Sequence, residues 1–250
     1  MNIIISVLIF IFAFFCAYID SATGMGYGTL MSPILLIFGF KLTSVVPVLL
    51  ISQMFTSLSA CIFHRKFKNA EFKIKNRNMK NGFLFAGVGS IAMIIAIFIV
   101  IDIPQFFTMM YVGIMIMSVG IILLVLKEFQ VSKKKFIFIS GISAFNKAIS
   151  GGGFGPIITS GQILSGSKVK TAVAITAFSE TILSAFGFIL YLIISQTFDF
   201  QLGLIVTMSG VMAAPFGAFQ VKKLTEENAK IIIGVVSIIL GLLTVIKCFF

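Results

Sequence analysis

Four polar side chains able to carry chemistry stand inside otherwise apolar runs of this sequence: Asp20, Gln53, Lys147 and Glu180. Lys147 lies 12 residues beyond the Lys133–Lys135 cluster, about 18 Å along a helix. Glu180 lies 10 residues beyond Lys170, about 15 Å by the same rise. If the runs cross a bilayer, both are near its midplane. A charge there costs at least about 2.5–3.5 kcal/mol and persists when it is paired or faces a water-filled pathway. Two alternatives stand: a structural clasp of Lys147 with Asp20 or Glu180, or a role in handling substrate and protons. One pair can do both. Two acids face one lysine, so one carboxylate is left to carry a proton. Glu180 is the better candidate, because Asp20 adjoins a glycine cluster whose backbone N–H groups can hold it ionised.

The glycine clusters are Gly24, Gly26 and Gly28, interleaved with Met25 and Tyr27, and Gly151, Gly152, Gly153 and Gly155, followed by Pro156. Neither is a dinucleotide fingerprint, since Thr29 and Pro156 stand where a third glycine is needed, and neither continues into a Walker loop. Glycines let helices pack closely in lipid, but each costs a helix interior about 1 kcal/mol relative to alanine. A break in the helix is therefore expected at each cluster. Irregular backbone at membrane depth must be buried in protein or line a polar cavity. A short helix restarting after the break aims N–H groups and the positive end of its dipole into that cavity, a ready anion site. Ser21, Thr23, Asn146, Ser150 and Ser179 join Gln53 as polar wall residues, or equally serve as bonds between helices. The expected substrate-binding set is Gly24, Gly26, Gly28, Gln53, Asn146, Lys147, Ser150, Gly151, Gly152, Gly153 and Gly155, with Asp20 and Glu180 as coupling groups. His64, the one histidine, adjoins Arg65 and is expected to be solvated at the cytoplasmic membrane edge. One histidine builds no zinc site, and neither HExxH nor GxSxG occurs. No catalytic residue, metal site or cofactor is expected.

The elements that carry these residues follow from composition. Of 250 residues, 59% are hydrophobic and 11% charged, against about 25% charged in a soluble domain. Mean hydropathy is +1.14. Such a chain cannot cover a water-facing surface, so its solvent is lipid. The net charge of +11 then belongs to basic loops and lipid contacts rather than to a nucleic-acid partner. Cys16, Cys61 and Cys248 are widely spaced in or beside apolar runs and read as inert thiols. Apolar segments fall at about 2–19, 29–40, 42–63, 82–101, 104–126, 136–149, 156–166, 171–195, 201–219 and 231–248. Six or seven approach the ~20 residues a spanning helix needs. The segments after the glycine clusters reach only about 17–18 Å. The first run has no Lys or Arg ahead of it and no small-residue cleavage pattern close behind, so it is kept in the fold.

The sequence also repeats. Sliding residues 141–187 back by 127 positions lays Gly151, Gly153 and Gly155 on Gly24, Gly26 and Gly28, Lys147 on Asp20 and Glu180 on Gln53. It also lays Phe154 on Tyr27, Thr159 on Ser32, Gly166 on Gly39, Lys168 on Lys41, Ser179 on Ser52 and Ser184 on Ser57. A shift of 121 puts Gly210, Gly234 and Gly241 on Gly89, Gly113 and Gly120. The basic stretches at His64–Lys80, Lys127–Lys135 and, more weakly, Lys222–Lys230 are cytoplasmic, and the turns at Asp102 and Asp199 lie outside. The expected fold is an all-α polytopic membrane protein. Two inverted repeats, 1–130 and 131–250, form one integral domain of about five hydrophobic segments each, with a glycine-broken or re-entrant short helix per half. Inverted repeats are a transporter signature.

Two glycine-rich motifs about 127 residues apart, each ahead of a short apolar segment in a duplicated 250-residue chain, resemble the sulfite exporter TauE/SafE family, also called toluene-sulfonate uptake permeases. The strongest stretches are Asp20–Pro33 and Asn146–Pro156. The resemblance implies secondary transport of sulfite, sulfonates or related small sulfur-containing anions across the bacterial cytoplasmic membrane. The leading expectation is thus an alternating-access anion carrier that is not an enzyme. An anion channel or a structural subunit of a membrane complex are the alternatives. Its expected partners are a small anion and membrane lipids, with a homo-oligomer left open and no nucleic acid.

Overall fold

The computed structural model describes residues 2–73, 76–100, 103–125, 133–164, 167–195, 198–221, 223 and 225–249. These residues form ten α-helices: α1 Ile3–Thr23, α2 Tyr27–Ile37, α3 Leu42–Lys66, α4 Arg77–Val100, α5 Gln105–Val125, α6 Lys133–Ser150, α7 Phe154–Leu164, α8 Val169–Ser195, α9 Phe200–Gln220 and α10 Glu226–Lys247. Six of them (α1, α3, α4, α5, α8 and α9) are long and apolar enough to cross a membrane, so the chain is a multi-pass membrane protein. Large apolar side chains such as Ile3, Phe98, Phe138 and Phe200 are exposed on the outside of the bundle, as lipid as solvent requires. Helix starts carry their own caps: Asn2 Oδ1 accepts from Ile4 N at 3.2 Å, and Asp199 Oδ1 from Leu202 N at 2.9 Å.

Both glycine clusters interrupt the helical rod, as the sequence predicts. The eleven-residue helices α2 and α7 follow them. They begin two residues earlier than the apolar runs, because Tyr27–Gly28 and Phe154–Gly155 are already helical. Packing crosses between the two parts of the chain. The opening helix α1 lies on α9, α6 lies on α4, and α3 meets both α8 and α9. α5 runs antiparallel to α10, with Gly113 against Gly241 and Gly120 against Gly234. A Cβ on Gly120 would stand 2.6 Å from the Gly234 carbonyl oxygen, and one on Gly241 2.7 Å from that of Gly113. Small residues are what permit this approach in lipid.

His64 departs from expectation. It is wholly buried, not solvated. After α3 the chain turns back through Lys68 in the left-handed region (φ 57°). Lys68 N donates to Arg65 O at 3.1 Å and Asn69 N to His64 O at 2.9 Å, a Schellman closure. The turn carries Asn69 under the helix end, where its Nδ2 reaches His64 Nδ1 and Ala218 O, both at 2.9 Å. A loop folding over the ring, rather than the ring's depth in the sequence, excludes water.

Several residues used above for orientation lie outside the described ones: Lys75, Asp102, Lys127, Glu128 and Lys222, with Gly166 of the repeat match and the boundary at 130 and 131.

Candidate functional site

Each break is a local turn that its own sequence dictates. At the end of α1, Gly24 adopts φ 69°, ψ 20°, and its N–H donates to Asp20 O at 2.6 Å. At the end of α6, Gly151 has φ 74°, and its N–H donates to Lys147 O at 2.8 Å. Glycine enters this region without the steric cost other residues meet. The residue before each glycine closes the turn with its hydroxyl. Thr23 Oγ1 accepts from Met25 N at 3.1 Å, and Ser150 Oγ from Gly152 N at 3.0 Å. Ser150, expected on the substrate, therefore spends its hydroxyl on the break, as Thr23 does.

The two breaks lie against each other with backbone touching backbone. A Cβ on Gly28 would collide with the Gly151 carbonyl, and one on Gly155 would stand 2.6 Å from Gly24 O. Cross-braces reinforce the contact. Gly153 N donates to Thr29 Oγ1 at 3.0 Å, and Thr159 Oγ1 donates to Gly24 O at 2.8 Å. Thr159 is held in turn by Thr176 at 2.9 Å.

Beside this crossing the structure gathers three of the four polar residues read from the sequence. Lys147 Nζ donates to Glu180 Oε1 at 2.7 Å and also to Gln53 Oε1. Gln53 Nε2 donates to the Gly151 carbonyl at 2.7 Å. Ser57 Oγ reaches Glu180 Oε2 at 3.4 Å. Lysine 147 is 0% and Glu180 5% exposed. Taking two charges out of water is costly, and only good geometry with further hydrogen bonds repays it. Among the described residues this is the one buried ion pair, the other (Lys73 with Glu71, 3.5 Å) being exposed. Of the two pairings left open by the sequence, the structure takes Lys147 with Glu180.

Asp20 is placed otherwise. Its Oδ1 accepts from Tyr27 N at 3.3 Å, at the first residue of α2, and Lys147 pairs with Glu180 instead of with it. The positive end of α2 thus already holds a carboxylate, and an incoming anion would compete with Asp20 there. At the other end of α2, Lys247 Nζ donates to the carbonyls of Leu36 and Ile37, the latter at 2.6 Å. Charges of both signs complement this helix's dipole. Asn146, beside Lys147, accepts from the phenol of Tyr111.

Other polar residues turn out to pack helices. Ser179 Oγ bonds to Gly82 O at 3.0 Å, joining α8 to α4. Among residues the sequence did not single out, Tyr27 places its phenol against Ser52 and donates to Val206 O at 3.2 Å. Thr29, Thr159, Thr176 and Ser57 were likewise given no role from sequence, although Thr159 and Ser57 stand in the repeat match, opposite Ser32 and Ser184. Expected water-facing walls are instead closed. Asp20, Gln53, Asn146, Lys147 and Glu180 are all buried, because the glycine backbones meet with no side chain to hold them apart. The arrangement has a charged, hydrogen-bonding centre and no nucleophile–base pair within it.

No solved structure matches the chain. It is similar to the "Probable membrane transporter protein YtnM" of Bacillus subtilis (strain 168), with 24% identity over 247 residues covering 92% of this chain and 79% of that protein. The profile of the family described as "Sulfite exporter TauE/SafE" matches residues 9–244. With the glycine-broken helices and the membrane-spanning bundle, that match over nearly the whole chain identifies a membrane transporter: the protein belongs to the sulfite exporter TauE/SafE family.

Proposed function

We propose that the protein is a secondary active carrier of small anions, with sulfite and organosulfonates as the substrate class, working by alternating access in the cytoplasmic membrane. The observation that carries this is the buried lysine beside two touching helix breaks. Lys147 supplies the positive charge, and the breaks at Gly24, Gly26 and Gly28 and at Gly151, Gly152, Gly153 and Gly155 supply the helix ends around it. Gln53 and Asn146 complete the lining, Ser150 holds the break beside it, and Asp20 and Glu180 are the groups available to couple flux to protons.

Inversion of the two halves belongs to the same proposal. The exchanged contacts, Gly28 with Gly151 and Gly155 with Gly24, and the antiparallel crossing of α5 and α10 support it. A closed centre is an expected stage of a carrier, which must seal one side before opening the other; a channel needs a continuous path.

Proteoliposomes test the proposal. Vesicles preloaded with unlabelled sulfite or a sulfonate should drive counterflow of labelled substrate, and Lys147→Ala should abolish it. Flux without counterflow points to a channel. Wild-type flux in Lys147→Ala removes the lysine from the mechanism.

A further inference from the structure

We propose that an anion arriving at Lys147 displaces Glu180, and that the freed carboxylate takes up one proton, so that each monoanion moves with one proton in the same direction. The inference rests on the anion reading of this site and adds its coupling.

Begin with the lysine. Two of the three ammonium hydrogens are committed, to Glu180 Oε1 at 2.7 Å and to Gln53 Oε1. The side chain has no exposed surface. An anion that binds it directly must take a partner's place. Gln53 is tied on its far side to the Gly151 carbonyl at 2.7 Å, which holds it in place beside the lysine. Glu180 has only a 3.4 Å bond from Ser57 on its second oxygen. It is also the partner that an anion replaces in kind, carboxylate for anion.

Charge counting supplies the proton. The Glu180 carboxylate and the Lys147 ammonium together carry no net charge. An added monoanion would leave the site with one net negative charge and Glu180 unpaired in a buried place, which burial penalises heavily. The groups facing Glu180 offer no remedy. Ser57 and Cys61 on α3 are uncharged, and Asp20 on α1 is itself acidic. One proton on Glu180 restores the original count. The step balances: the Glu180 carboxylate–Lys147 ammonium pair plus an anion and a proton gives a Glu180 carboxylic acid and an anion–ammonium pair. Asp20 is not the group concerned, because its bond from Tyr27 N is untouched when Lys147 changes partner.

The test uses the whole purified chain in weakly buffered detergent solution with a pH indicator, titrated with methanesulfonate, which stays a monoanion throughout. The expected result is uptake of one proton per anion bound, with affinity falling about tenfold per pH unit. Glu180→Gln is expected to bind with pH-independent affinity and no uptake. Binding by the wild type without proton uptake overturns the proposal, even if the variant fails to fold. So does uptake that persists in Glu180→Gln, or that is lost in Asp20→Asn alone. If the wild type binds neither methanesulfonate nor sulfite, the anion reading itself falls, and the coupling with it.

Discussion

Lys147 and Glu180 stabilise one another only as a pair. Removing one partner leaves a buried charge without compensation, which typically costs about 3–5 kcal/mol, whereas replacing both by apolar groups of similar shape is often neutral. Lys147→Met is therefore expected to lower the thermal midpoint in detergent sharply. Lys147→Met combined with Glu180→Leu should recover most of that stability while transport stays lost. Equal instability of the single and double variants would mean that the ion pair does not dominate this packing. Depth along the chain made both residues legible from sequence. Their pairing was not, because it depends on two long side chains from α6 and α8 meeting at 2.7 Å in space rather than on any spacing. The burial of His64 was hidden for a similar reason: a left-handed Lys68 turns the following loop back over the ring, and no periodicity announces that.

The elements divide by how closely their backbones approach. Gly28→Ala is expected to lose most folded protein, since its methyl would meet the Gly151 carbonyl with nothing flexible to move aside. Gly87→Ala, in the middle of α4 with open space around it, should instead stabilise by up to about 1 kcal/mol through helix propensity. Comparing the folded fractions of the two variants by size-exclusion profile and melting curve checks both signs. The sequence announced the short helices clearly, through half-length apolar runs and clustered glycine. That the two ends meet follows from the repeat, but that they close glycine backbone on glycine backbone leaves no local mark in the sequence.

At the scale of the molecule, the proposed inversion fixes which loops face which compartment. Cysteine placed at Ala70, in an otherwise cysteine-free background, should react with a membrane-impermeant maleimide only from the cytoplasmic side. Cysteine at Phe200, at the exposed start of α9, should react only from outside. Labelling of both positions from one side would exclude the arrangement. Basic loops carry this information in the sequence itself, whereas the crossed packing of α1 on α9 and α6 on α4 emerges only once helices must cover each other's polar faces.

The cluster and the break beside it draw an acid and an amide, Asp20 and Gln53, from the first half of the chain, and a base and an acid, Lys147 and Glu180, from the second. Two copies of the first half would bring together two aspartates and no cation; two copies of the second would bring two lysines already satisfied by two glutamates. Neither self-pairing leaves a lone ammonium with one exchangeable anion beside it. The halves are thus complementary rather than redundant, and a fragment of either one, however well it associated with itself, would lack the asymmetry on which a directional exchange of partners depends.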